Sequence, residues 1–290
     1  MIRKILLVLG LLSQYCAAVQ QPIPDNLSQF FNNPELCTAV KQCFVMPEQV
    51  YKSLQKIFIQ PQNKDLVRKI RQYSRTDLKN PEYQAGLIKE IEAKGFTIIK
   101  IKSTVVLSHP DLSGYFIKLL LKKESRPFQC VSRIPHWIRA KQMQDKHNLD
   151  NIALPKHKYY FYIGENPSSP QLCDEDYIVI AQVLPLDDLH NHAHHLHALT
   201  TEQKQQVVIM ICAGIRDICT TNLQFTPDGK VAFIDTEQAN SNPSEIFFEK
   251  NRKARVRSIS KSLEQFNALL GEDFITEDQL VNTINRYLQE

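Results

Sequence analysis

Three residues able to ligate a metal or handle a proton stand at fixed intervals late in the chain: Asp217, Asn222 five positions on, and Asp235 thirteen beyond that. Between the last two, LQF and VAFI flank Thr226-Pro227-Asp228-Gly229-Lys230. Proline pre-sets φ and glycine accepts the left-handed turn conformation, so this stretch predicts a hairpin. Such a hairpin fixes the distance from Asn222 to Asp235. Asp235 comes directly after an apolar run, which predicts that its carboxylate emerges at a strand end. A carboxylate beside an amide suits Mg²⁺, which takes few protein oxygens and leaves the rest to phosphate and water.

Two other residue types carry chemistry. Five histidines fall within the eight residues from His190 to His197. On a helix His190, His194 and His197 share one face, a geometry suited to Zn²⁺ or Ni²⁺; adventitious metal binding and a pH-sensitive surface are the alternatives. Of the seven cysteines, Cys16 sits at the end of an N-terminal leader pattern. The remaining six are Cys37, Cys43, Cys130, Cys173, Cys212 and Cys219, and the closest two, Cys37 and Cys43, are the expected disulfide pair.

These residues need elements to hold them. At the N-terminus, Arg3-Lys4, the apolar Ile5 to Ser13 and Cys16-Ala17-Ala18 together predict a cleavable signal peptide over residues 1–18. The apolar run is far short of the roughly 20 residues that span a bilayer. The expected location is therefore secreted or periplasmic, with no membrane span after cleavage. Residues 19–95 read as helices punctuated by Asn-Pro and Pro-Gln-Asn stretches, a helical cap on the next lobe or a partner-binding module. From Phe96 the period changes to that of strands: FTIIKIKS, TVVLSH and YFIKLLLK, then a helix from Pro135 or His136 to His147, then KYYFYI and YIVIAQVLPL. Thr200 or Thr201 caps a helix through the apolar VVIMICAGI, which leads into Asp217. The basic cluster Lys250, Arg252, Lys253, Arg255 and Arg257 reads as a phosphate or acidic-partner contact or a solvated loop, with one helix after it and another over Thr276 to Leu288.

The D-x4-N, with a hairpin and a second Asp after it, resembles the catalytic core of the protein-kinase-like superfamily, over about residues 96–240. The IDTE ending resembles the choline-kinase and aminoglycoside-phosphotransferase branch. The resemblance implies an α+β, bilobal kinase-like fold: a helical extension at 19–95, a five-stranded antiparallel small lobe at 96–185 and a reduced helical lobe at 186–290. It implies that Asp217 orients an acceptor hydroxyl and that Asn222 and Asp235 hold Mg²⁺ or Mn²⁺. It further implies that Lys118, in YFIKLL, contacts the phosphates of ATP. Ala181 would line the back of the nucleotide pocket, with the backbone of Gln182 to Leu184 facing the base. The chain departs from the pattern at Ile215, at Thr236-Glu237, in the glycine-free turn Lys102 to Val106, and in a helix whose polar choices are Arg139, Lys141, Gln142 and Asp145 without a Glu. Gln142 or Asp145 is the expected substitute.

Length and composition bound the remaining classes. At 290 residues with 43% hydrophobic and 23% charged content the chain can bury a full core. A net charge of +4 and the lack of a nucleic-acid motif argue against nucleic-acid partners. Only 55 residues follow Asp235, too few for the peptide-binding platform of a protein kinase. Two functions are therefore expected. One is an exported ATP- and Mg²⁺-dependent phosphotransferase acting on a small or atypical hydroxyl acceptor; the other is a catalytically inactive, pseudokinase-like binding or scaffold protein.

Overall fold

The computed structural model describes residues 17–31, 33–74, 76–101, 104–121, 129–173, 176–212, 215, 218–220, 222–234, 252–272, 274, 279 and 282. The expected leader lies outside these residues as far as position 16. Its last two residues are held in the fold: Ala18 opens strand β1 (Ala18–Gln20), and the Ala17 carbonyl accepts the Glu48 N–H at 2.7 Å.

Proline and asparagine set the helix starts of the N-terminal region. After α1 (Leu27–Phe30), helix α2 (Pro34–Gln42) begins with Pro34, whose missing N–H is one the first turn does not use, and the Asn33 side chain accepts the Leu36 N–H at 3.0 Å. Strand β2 (Val45–Pro47) pairs antiparallel with β1 and leads into α3 (Glu48–Phe58). Helix α4 (Pro61–Gln72) starts on Pro61, so the Pro61-Gln62-Asn63 stretch read as a break is its first turn. Asn63 is buried there and its Nδ2 donates to the Ile57 carbonyl at 2.6 Å, binding the start of α4 to the end of α3. Helix α5 (Pro81–Ala93) repeats the device with Asn80 and Pro81, and Gly95, at φ +79°, turns the chain out of it.

The central element is a five-stranded antiparallel sheet of β3 (Thr97–Ile101), β4 (Thr104–Ser108), β5 (Tyr115–Leu120), β7 (Lys158–Tyr162) and β8 (Tyr177–Gln182), in the order β3-β4-β5-β8-β7. The intervening β6 (Ile152–Ala153) belongs to a second, smaller sheet. Side chains alternate across strands, so each face has its own partner. Val105, Leu107, Ile117, Leu119, Ile178 and Ile180 pack against Leu54, Phe58, Leu66, Ile70, Leu87 and Ile91 of helices α3 to α5. Tyr160, Tyr177 and Val179 face the other way, onto Ile134, Trp137 and Ile138 of α6 (Gln129–Lys146) and onto Leu36, Val40 and Phe44. Burial on both faces explains why YIVIA is a continuous apolar run.

Helix α6 begins at Gln129, earlier than the sequence implies, and Pro135 lies inside it. A proline removes one N–H and disturbs the turn before it without having to end the helix. Beyond Asn148, in the left-handed region at φ +48°, comes the lower part of the molecule. It contains α7 (His192–His197), α8 (Thr201–Cys212), β9 (Leu223–Phe225), β10 (Val231–Phe233) and α9 (Arg252–Leu270). The basic cluster read as a loop is helical from Arg252 onward. The expected helix over Thr276 to Leu288 lies outside the described residues apart from 279 and 282. Strand β10 pairs antiparallel with β9 and parallel with β6, and Leu149, Ile152, Val207, Ile211, Leu223, Phe233, Ile259 and Phe266 form the core beneath. The fold is mixed α+β around a five-stranded antiparallel sheet. Among the described residues no helix is long and apolar enough to cross a membrane.

Candidate functional site

The hairpin forms where the sequence places it. In the turn the Thr226 N–H donates to the Lys230 carbonyl at 3.0 Å, the Gly229 N–H donates to the Thr226 carbonyl at 2.8 Å, and Gly229 has φ +78°. At the open end the Ile234 N–H donates to the Asn222 carbonyl at 2.9 Å. Asn222, 5% exposed, is thus held opposite the residue that precedes Asp235. Asp217 and Asp235 lie outside the described residues. Their neighbours are anchored: Ile215 and Ile218 are buried, and the Cys219 carbonyl accepts both the Asn222 and the Leu223 N–H at 2.9 Å.

Three further ties seat the hairpin on the lower core. The Val231 N–H donates to the Asn151 carbonyl at 2.8 Å, and the Asn151 N–H in turn donates to Gln206 Oε1 at 2.9 Å. From the same helix α8, Gln203 Nε2 donates to the Gly229 carbonyl at 2.9 Å. Gln203 also resolves the helix cap: it accepts the Thr200 N–H while Thr200 Oγ1 accepts its own N–H, a reciprocal capping box.

Lys118 sits in β5 between Val106 of β4 and Val179 of β8, on the face toward α6, and is only 7% exposed. Phe116, two positions earlier, lies opposite Ala181, which is buried at the end of β8. Lys118 and Ala181 therefore share one sheet face. Gln182 and Val183 lie where the chain leaves the sheet. The Gln182 N–H donates to the His157 carbonyl at 3.0 Å, and the Val183 N–H donates to the Gly114 carbonyl at 2.9 Å. Of the backbone from Gln182 to Leu184 expected to face a base, the first two N–H groups are thus bonded within the protein, and Leu184 is half-buried.

The expected substitute for a helix glutamate changes. Gln142 and Asp145 are exposed on α6, whereas Lys118 is buried beneath it. Among the α6 side chains that are described, the polar ones that are buried are Arg133 and His136. Arg133 Nη2 donates to Thr104 Oγ1 at 2.6 Å, and Thr104 is two residues from the position paired with Lys118. Arg133 escapes detection in the sequence because the pattern there starts the helix after it, at Pro135 or His136. Lys158, 1% exposed on β7, carries no sequence signal either; it pairs with Ala181 and lies near Cys43.

The histidine run divides between solvent and core. A 3-10 turn over Leu189–Asn191 precedes α7. His190, in that turn, and His194 and His197, on α7, are all exposed, while His192 is buried and His195 half-buried. Among the described residues no group of three His, Cys, Asp or Glu is arranged to hold a metal ion. His192 Nε2 lies 2.7 Å from the Leu223 carbonyl, and His195 Nε2 lies 2.7 Å from Asp187 Oδ2. The His195 hydrogen bond, first, and the Asp188 N–H hold the Asp187 carboxyl below its ordinary value.

The expected Cys37 and Cys43 disulfide is absent, and both thiols are free. Helix α2 separates the two residues by six positions, about 9 Å of helical rise, beyond the roughly 7 Å that a disulfide bridges. Burial pushes the Cys43 thiol up to about 12, against the opposing charge of Lys158.

No protein-family model matches the chain, and no curated protein matches it significantly.

Proposed function

We propose that the chain is an ATP- and Mg²⁺-dependent phosphotransferase on a bilobal, kinase-like core, exported and acting on a small or atypical hydroxyl acceptor. The observation that carries this reading is the hydrogen bond from Ile234 to Asn222, which sets a buried amide beside the approach to Asp235. An amide oxygen with a neighbouring carboxylate fits the oxygen preference of Mg²⁺. Support comes also from Lys118, a buried cation on the α6 face of a five-stranded antiparallel sheet, with Ala181 on that face.

Asn222 and Asp235 would hold the ion, whose charge, when present, offsets that of the phosphates. Lys118 would bind phosphate oxygens, and burial strengthens such a contact relative to water. Leu184 would offer a backbone donor to a base, and Ala181, buried near the end of β8, would lie behind it. Asp217 would accept the acceptor's hydroxyl proton and aim its oxygen.

A second reading, nucleotide binding without transfer, has Arg133 in its favour: α6 turns Arg133 and His136 inward where the resemblance implies a glutamate. Calorimetric titration with ATP, with and without Mg²⁺, tests the shared premise. Wild-type protein should bind ATP more tightly with the metal, and Lys118→Met should lose about 1–3 kcal/mol of that affinity. Equal affinity in the two proteins would remove Lys118 from the site. Release of labelled phosphate from the γ position then separates transfer from binding alone.

A further inference from the structure

The chain from Val183 to Asp188 joins the sheet to the lower half, and it is fastened to the outer edge of β9 by a set of contacts with one geometric logic. In the β9–β10 hairpin Thr226 and Asn222 bond across to Lys230 and Ile234. Antiparallel pairs alternate, so the backbone groups of Leu223 and Phe225 turn away from β10, toward the open edge. Each carbonyl there has its own donor. His192 Nε2 lies 2.7 Å from the Leu223 carbonyl, and the Asp187 N–H donates to the Phe225 carbonyl at 2.8 Å. His195 stacks on the Phe225 ring, centroids 4.8 Å apart, and holds Asp187 Oδ2.

We propose that His192 and His195 are positioning residues for the metal-binding end of the hairpin: they clasp β9 to the Val183 to Asp188 connection so that Asn222 keeps its place. This rests on the phosphotransferase reading for the role of Asn222. His192 donates from Nε2 to the carbonyl next to Asn222 in sequence and is itself buried, so its loss leaves that carbonyl without its donor. Asp187, Asp188, Gln224 and Phe225 close in on both histidines and leave no enclosed space for even a water molecule.

The test compares full-length wild-type protein, His192→Phe and His192→Gln. Phenylalanine keeps a ring against Phe225 and loses the donor; glutamine restores a donor nitrogen at a similar reach. Backbone hydrogen exchange across residues 219–234 should rise about tenfold in His192→Phe, as expected for one buried hydrogen bond, and return toward wild type in His192→Gln. Mn²⁺ affinity in the presence of ATP should fall about 10- to 100-fold in His192→Phe, the range for a group that orients a ligand, with the same rescue. Mn²⁺ binding by His192→Phe at wild-type strength, or an unchanged hairpin, overturns the clasp. Failure of the wild-type protein to bind Mn²⁺ with ATP overturns the metal reading and the positioning role with it, while the exchange comparison still reports on the hairpin. If His192→Phe does not fold, the double change Asp187→Ala with His195→Leu, at partly exposed positions, removes the Asp187–His195 hydrogen bond and the ring stacked on Phe225 while keeping the Asp187 N–H, and unchanged exchange across the hairpin then overturns the positioning role of His195.

Discussion

A buried thiol and a surface carboxylate give the most local predictions. Burial pushes the Cys43 thiol up to about 12, and the thiolate is the reactive form. Iodoacetamide at pH 8 should therefore modify half-buried Cys37 before Cys43 in the folded protein; equal rates would contradict this packing. Asp187 behaves in the opposite sense. Its carboxyl is held below the ordinary 3.8 chiefly by the hydrogen bond to His195. A depressed carboxyl contributes stability that is complete above its unfolded value and disappears as pH falls through its lower folded value. Asp187→Asn should thus lower the melting temperature near neutral pH and narrow the gap to wild type below pH 3.8. A gap that widens on acidification would contradict the pair. At this scale the sequence was readable where a residue type met a local rule, as with Pro227 and Gly229 or Asn33 before Pro34. It was opaque for Arg133 and His192, whose importance comes from which way a helix turns.

Phase and backbone conformation govern the elements. Five strands and the hairpin were legible because alternation and Gly-containing turns are local signals. The small sheet β6-β10-β9 was not, since two-residue β6 joins it through a parallel pairing with a distant strand. The grouping of His190, His194 and His197 was legible, and all three are exposed, but the inward turn of His192 and His195 was not, since it depends on what packs over a short helix. Gly229 tests the hairpin itself: at φ +78° a Cβ would meet no atom within 4 Å, so the penalty for alanine is conformational alone. Gly229→Ala should destabilise the protein by about 1–2 kcal/mol, read from urea denaturation. No loss of stability would mean that the turn is not held in the left-handed conformation.

Over the whole molecule the N-terminal helices and the sheet share one core. Ile91 of α5 is fully buried in the cluster that contains Ile117 and Leu119. Ile91→Ala should cost about 2–5 kcal/mol and speed hydrogen exchange in β5 as well as in α5. Exchange that rises in α5 alone would show the helices to be a separate folding unit. Helix α6 joins two further core clusters, giving Ile134, Trp137 and Ile138 to the one on the opposite face of the sheet and Ala140 to the lower one. Sequence periodicity proposed helices and strands in order. It carried no information on this sharing, because a buried helix face does not name the surface that covers it.

The central claim is that nucleotide and metal meet at Lys118, Asn222 and Asp235, and thermal denaturation with ATP plus Mn²⁺ tests it most directly. At about a hundred times its dissociation constant the ligand adds roughly 2.7 kcal/mol, a shift of several degrees. The expected result is a metal-dependent rise in wild-type protein that Asp235→Asn abolishes. An equal rise in both proteins, or none in wild type at millimolar ATP and Mn²⁺, would contradict the claim.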